Sequence, residues 1–312
     1  MNRLHQIDIA SRVQSREITG IVTNSVCAVV VTFHPDSDVL ENLSQLRQQV
    51  QALVVVDNAS SSEEVTLLRH MSSQIGFKLI ENGENFGIAF ALNAGLRWAD
   101  AHGFERGALF DQDSRVTPEF MDVMLHAFES SPRGAHLAIL VPRYIDKRSG
   151  AELPGIVVRG GGLEAAMTSG TLMRVASFRQ YGPFEEDFFI DGVDYEYSLR
   201  LRSHGCFIEE CPDAVLLHSP GAPKIHRLWG IYLFQTANYS PVRRYYQERN
   251  KVWVTRKYWH RFPFFCLKLF FYSSKDFIKG ILAEDRKWER FYYASLGIAD
   301  GLRGRMGRFD RT

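Results

Sequence analysis

The sequence predicts an α/β fold, a mixed and mostly parallel sheet flanked by helices, with a helical appendage at its carboxyl end. Three observations carry this. Short uninterrupted apolar runs alternate with segments of helical periodicity, the pattern of strands buried on both faces and joined by crossover helices. Each run stops at a cluster of small polar or acidic residues. The charge is also divided: residues 241–312 hold 17 Lys and Arg against 7 Asp and Glu, a net of +10, so the first 240 hold 20 against 29, a net of −9.

The bulk properties set bounds. A chain of 312 residues, 45% hydrophobic and 23% charged, is an ordinary globular composition, with room for one large domain and an appendage. Cys27, Cys206, Cys211 and Cys266 are few and irregularly spaced, which argues against a disulfide scaffold and fits a reducing compartment. Cys206, Cys211 and His218 match no familiar zinc spacing. Residues 1–20 lack the apolar core of a signal peptide, and the longest apolar run, Phe262 to Tyr272, is interrupted by Pro263 and Lys268 and too short to span a bilayer. A cytoplasmic protein follows.

Taken in order, residues 1–25 read as an extension without periodicity. A sheet domain follows over 26–225. Its first strand is Val26 to Phe33, ended by His34-Pro35, with Asp36 or Ser37 capping a helix that turns Val39, Leu40, Leu43 and Leu46 to one side. The second strand, Ala52 to Val56, stops at Asp57-Asn58-Ala59-Ser60. The third, Phe77 to Ile80, leads through Asn82 to Gly87 into a helix rich in Ala and Leu. The fourth is Ala108 to Asp111, and a helix follows over Pro118 to Glu129. Ligands of such sheets bind beyond the carboxyl ends of the strands, and four polar clusters fall on that rim.

The fourth cluster, Asp111-Gln112-Asp113-Ser114, places two carboxylates one residue apart. Positions i and i+2 of a strand face the same way, so Asp111 and Asp113 are placed to share one hard cation, Mg²⁺ or Mn²⁺, with a diphosphate. The same residues also read as a capped turn before the helix at Thr117-Pro118-Glu119.

Beyond this point the pattern mixes. Leu137 to Val141 and Gly155 to Val158 read as strands, Gly160-Gly161-Gly162 as a loop, and Met167 to Met173 as a short strand. The acidic run that follows becomes a helix with Val193, Tyr197 and Leu201 facing inward. Asp194 lies in its first turn, where the macrodipole favours an ionised carboxylate of the kind a general base requires; Asp191 reads either as a second such acid or as an N-cap.

Assembled, these residues resemble the inverting family 2 of nucleotide-sugar glycosyltransferases with a GT-A fold, and within it the bacterial rhamnosyltransferases. The markers are Val55 to Ser60, Asn85-Phe86-Gly87-Ile88-Ala89 with Asn93-Ala94-Gly95, Asp111 to Ser114, Thr168-Ser169-Gly170, and the acidic helix start before Arg200, with a weaker echo from Arg243 to Asn250. The resemblance implies a donor pocket formed by Thr32, Phe33, Asp57, Asn85, Gly87 and Asp111. It implies a Mg²⁺ or Mn²⁺ site at Asp113 and Asp111, with His218 as a further metal or phosphate contact. Asp194 is the implied base, six residues before Arg200. Val193 stands where the family usually has Glu, which leaves Asp191 as the alternative.

The implied donor is dTDP-L-rhamnose, with another pyrimidine-nucleotide sugar as the alternative. The implied acceptor is a glycan, free or on a polyprenyl diphosphate, in bacterial surface-polysaccharide synthesis. The basic, aromatic region 226–312 suits an anionic membrane surface at the inner face of the cell membrane, with Trp259, Phe262, Phe264, Phe265, Phe270 and Phe271 as interfacial residues. A homo-oligomer interface and packing against the body are the competing uses. No nucleic-acid motif accompanies the charge.

Two other classes compete. A haloacid-dehalogenase-type phosphohydrolase also ends an apolar strand in Asp-x-Asp, but its motif strand comes first in the chain, whereas three strand and helix units precede it here. A catalytically dead nucleotide-sugar binder has no need to keep Asp57, Asp113 and Asp194 together.

Overall fold

The computed structural model describes residues 26–153, 162–218, 224–228, 231–236 and 238–310. The expected extension over 1–25, the strand at Gly155 to Val158 and the glycines Gly160 and Gly161 lie outside the described residues.

The first half is built of strand and crossover helix: β1 (Val26–Thr32), α1 (Val39–Arg47), β2 (Ala52–Asp57), α2 (Ser62–Ile75), β3 (Lys78–Glu81), α3 (Ile88–Ala101) and β4 (Arg106–Asp111). All seven residues of β1 are buried, because parallel neighbours flank it on both edges, β2 in register Thr32 with Asp57 and β4 in register Val31 with Asp111. Its unbroken apolar run is the consequence. Helix α2 starts at a capping box in which Ser61 accepts from the Glu64 N–H and the Glu64 side chain accepts from the Ser61 N–H.

The chain continues through β5 (Arg115–Val116), α4 (Phe120–Glu129), β6 (Leu137–Asp146), β7 (Glu152–Leu153), β8 (Thr171–Arg174), α5 (Val175–Tyr181), α6 (Val193–Ser203) and β9 (Phe207–His218). Sheet order is β3-β2-β1-β4-β8-β6-β9-β5, with β7 paired to β6. Strand β8 runs antiparallel to both β4 and β6, while β6 and β9 are parallel. Strand β5 pairs antiparallel with β9, Arg115 opposite Leu217. That register brings the end of β9 to the loop after β4.

The carboxyl region opens with a hairpin, β10 (Lys224–Leu228) and β11 (Ile231–Thr236), followed by α7 (Pro241–Tyr258), α8 (Pro263–Ala283) and α9 (Lys287–Arg303). Helices α7 and α9 approach closely: a Cβ on Gly297 would stand 2.3 Å from the Tyr245 carbonyl oxygen.

Several expectations shift in detail. The α1 N-cap is Asp38, without a side-chain cap bond, and Leu40 is exposed where an inward position was expected. Helix α4 starts at Phe120, behind Glu119 in a left-handed conformation. Strand β6 runs five residues past Val141 to Asp146, and the short strand after Met167 narrows to Thr171–Arg174. The region from 226, expected as helical, opens inside a hairpin strand before its three helices. A short hairpin outside the main sheet does not show the two-faced burial that betrays the central strands.

Candidate functional site

The loops after β1, β2, β3 and β4 meet on one rim and hold one another by side-chain amides and hydroxyls. Thr32 Oγ1 donates to Asp57 Oδ1 at 3.0 Å, and Ser60 donates to the same carboxylate from its hydroxyl and its backbone N–H at 2.5 and 2.9 Å. Both Thr32 and Asp57 are fully buried, so Asp57 shapes the floor of the rim. Phe33 is 44% exposed above it. The Gln112 amide fixes the Phe33 backbone at two points, accepting from its N–H at 2.8 Å and donating to its carbonyl at 3.2 Å. Asn85 accepts from the Asn58 amide and from the Gly87 N–H at 2.8 and 3.0 Å. Asn58 in turn accepts from Asn82 and from the Phe86 N–H.

Strand β4 ends at Asp111, and Asp113 lies in the turn beyond, closed by the Ser114 N–H donating to the Asp111 carbonyl at 3.1 Å. The two carboxylates therefore converge through a turn and not through strand alternation. The β5 and β9 register adds His218. One ligand atom from each of Asp111, Asp113 and His218 lies within 4.8 Å of the others. His218 Nδ1 stands 3.6 Å from Asp113 Oδ1. Burial, reinforced by Asp113 but opposed by His218 and Arg243, pushes the Asp111 carboxyl up to about 6. Two carboxylates crowded with an imidazole form a donor set suited to Mg²⁺ or Mn²⁺. Ser169 braces the cluster, its hydroxyl accepting from the Asp111 N–H at 3.2 Å and lying 2.5 Å from the Ser114 hydroxyl.

The second acidic group lies on the loop into α6. Phe189 and Asp191 carry φ of 63° each, a left-handed conformation that side chains adopt only under constraint. Helix α7 supplies the constraint. The Asn250 amide donates to the carbonyls of Phe188, Ile190 and Asp191 at 3.0, 2.9 and 2.7 Å. Arg249, fully buried, donates to the carbonyls of Asp187 and Phe188. Arg243 grips the Asp191 carboxylate with two N–H donors at 2.9 Å each. From the other side the Ile88 N–H donates to the Phe189 carbonyl at 2.8 Å, and a Cβ on Gly87 would stand 2.4 Å from that oxygen.

Gly192, and not Asp191, holds the α6 N-cap. Asp194 in the first turn accepts a hydrogen bond from the Tyr195 N–H at 2.9 Å. Burial pushes its carboxyl up to about 7; the Tyr195 N–H opposes the shift and Asp191 adds to it. Two residues on, Glu196 is fully buried and accepts from Arg200, Lys257 and the Tyr258 hydroxyl at 2.6, 2.9 and 2.8 Å. Burial alone would raise its carboxyl, yet Arg200 and Lys257 outweigh it and hold it below the ordinary range.

Asp111, Asp191 and Asp194 all line one cavity of about 540 Å³, together with Tyr239, Arg243, Gln247 and Lys251 from α7 and the segment before it, and Tyr272, Asp276 and Lys279 from α8. This wall of aromatic rings and mixed hydrogen-bonding groups suits a sugar. Sequence reasoning noted the run from Arg243 to Asn250 without assigning roles. The available signal was spacing: Arg243 and Asn250 are seven residues apart, two helical turns, and so share a face.

Residues 27–171 match the profile of Glycosyl transferase family 2. The chain is 29% identical over 302 residues to dTDP-rhamnosyl transferase RfbF of Shigella flexneri, covering 92% of this chain and 98% of the relative. It is 25% identical over 223 residues to the low-salt glycan biosynthesis hexosyltransferase Agl10 of Haloferax volcanii, covering 65% and 70%. Among solved structures, the mannosyltransferase PcManGT of Pyrobaculum calidifontis, in complex with GDP-Man and Mn²⁺, superposes with a TM-score of 0.54 at 15% identity, covering 89% of this chain and 87% of that one. S. aureus TarS 1–349 with UDP-GlcNAc gives 0.52 at 14% identity, covering 90% and 73%.

Proposed function

From the match of residues 27–171 to Glycosyl transferase family 2 and the GT-A-like fold, we propose that the chain moves L-rhamnose from dTDP-rhamnose to a glycan acceptor, carried on a lipid diphosphate or on a growing polysaccharide, with inversion at the anomeric carbon. The observation that carries the reading is that Asp111, clustered with Asp113 and His218, lines the same sugar-sized cavity as Asp194. The rhamnosyl donor is supported by the relative that aligns over nearly the whole chain and bears that activity in its name.

In this reading Phe33 offers an exposed ring for the nucleobase, and the Thr32, Asp57 and Asn85 loops set the pocket beneath it. Asp111, Asp113 and His218 would hold Mg²⁺ or Mn²⁺, which when bound neutralises negative charge on a diphosphate leaving group. Asp194 accepts the proton of an acceptor hydroxyl as that oxygen forms its bond to the anomeric carbon. The bond from that carbon to the diphosphate oxygen breaks, its electron pair leaving with the diphosphate. Arg243 keeps Asp191 in place beside this path. An acceptor carried on lipid places the work at the membrane surface.

The test is a thermal-shift panel of dTDP, UDP and GDP sugars, each with and without Mg²⁺ or Mn²⁺, since a ligand bound by the native state raises the melting temperature. A metal-dependent shift selective for dTDP-rhamnose supports the reading; selectivity for UDP sugars overturns the donor.

A further inference from the structure

Helix α8 presents two unlike faces. Leu269, Ser273 and Asp276, spaced four and three residues apart, line the cavity beside the acids. On the opposite side Leu267, Phe271, Ile278 and Leu282 are 52, 66, 57 and 68% exposed. At helical spacing these four fall within a stripe roughly 60° wide. Lys275 lies within or beside that stripe, and the one acid of the helix, Asp276, is on the cavity face. Past the helix end Trp288, Phe291 and Tyr292, just after Lys287, are also exposed, at 86, 54 and 62%.

An exposed apolar stripe of this kind marks an interaction site. No helix among the described residues is long and apolar enough to cross a membrane, so α8 is suited to lie on one. We propose that this face of α8 docks on an anionic lipid surface, its Phe, Leu and Ile stripe entering the acyl boundary and Lys275 and Lys287 meeting headgroup phosphates. The inference rests on the lipid-linked acceptor reading and deepens it: the helix that touches lipid is also a wall of the acceptor cavity, which is thereby held at the surface where such an acceptor is presented. Charge favours lipid over a second copy of the chain. A twofold contact would press the same face against itself and set Lys275 near its own symmetry mate, with no acid of α8 on that face to answer it.

The experiment is co-sedimentation of the full chain with phosphatidylcholine vesicles, with and without phosphatidylglycerol, at low and high salt and without nucleotide. Binding is expected to require phosphatidylglycerol and to weaken with salt. Phe271→Ser combined with Ile278→Ser is expected to weaken it by about tenfold or more, and Lys275→Glu to weaken it on anionic vesicles. All three positions are exposed, and an unchanged circular dichroism spectrum and melting temperature confirm folding. Wild-type binding by the double variant, no binding to any vesicle, or a dimer in light scattering that the double variant turns into monomer each overturns the proposal. Donor binding is read on the same samples as a melting shift. Wild type that binds no vesicle yet shows the donor shift fails this proposal alone, and wild type that binds vesicles without a donor shift fails the donor reading alone.

Discussion

The Arg243 guanidinium spans 52 residues of sequence to hold both oxygens of Asp191, at 2.9 Å each. That pairing separates two acids that sequence could not tell apart. Asp191 is engaged by a cation, whereas Asp194, three residues on, takes a hydrogen bond from a backbone N–H and lines the same cavity.

Asp194→Asn is therefore expected to lower transfer by about 10² or more while donor binding, read as a melting shift, persists. Asp191→Asn is expected to act through the loop, with a smaller loss that Arg243→Ala reproduces. A large loss in Asp191→Asn alone would move the base to that position.

The raised Asp194 carboxyl fixes a pH dependence. A base must be ionised, so kcat/KM is expected to rise with pH and level off above about 7. Stability runs the other way. The folded state holds this proton more tightly than the unfolded one, so the group's contribution is full below the ordinary value of 3.8 and is lost as pH rises through about 7. Melting curves without added metal are expected to show Asp194→Asn gaining on wild type as pH rises from 4 to 8.

Chelation with EDTA is expected to abolish transfer, and added Mg²⁺ or Mn²⁺ to restore it. Asp113→Ala is expected to remove both activity and metal-dependent nucleotide binding. His218→Ala should raise the metal concentration for half-maximal rate by about tenfold; an unchanged metal titration would take His218 out of the site.

Gly87→Ala tests the seam between α3 and the acidic loop. With φ of +89° and a Phe189 carbonyl oxygen 2.4 Å from the added Cβ, the loop has to shift. A loss of about 1–3 kcal/mol in chemical denaturation and a fall in kcat larger than any rise in KM are expected.

Glu196→Ala strips a buried partner from Arg200, Lys257 and Tyr258 at once. Removing one side of a buried pair costs about 3–5 kcal/mol, so urea denaturation should show the largest destabilisation of the set.

The central strands were legible because a strand buried on both faces has to be apolar throughout, as β1 is from Val26 to Val31. Their polar endings were legible for the complementary reason, that ligands sit where strands stop. Asp111 and Asp113 do lie close together, but a turn brings them there and not the strand alternation that sequence suggested. What sequence alone could not supply was long-range partnership. Nothing local in Asn250 announces that its amide N–H groups reach three carbonyls some 60 residues earlier, because that match exists only once α7 has packed. The hairpin at Lys224–Thr236 was hidden because two short strands apart from the main sheet leave no strong alternation.

The clasp of α7 on the acidic loop also limits how this enzyme can be recombined. Residues 27–171 form the segment shared with the family, which invites splicing a foreign acceptor half behind it. Yet the loop bearing Asp191 and Asp194 is shaped by Arg243, Arg249 and Asn250, and the same helix lines the cavity. A chimera joined between α6 and α7 would exchange the mould while keeping the casting. Donor and acceptor halves trade as working parts only when the loop and its helix are inherited together.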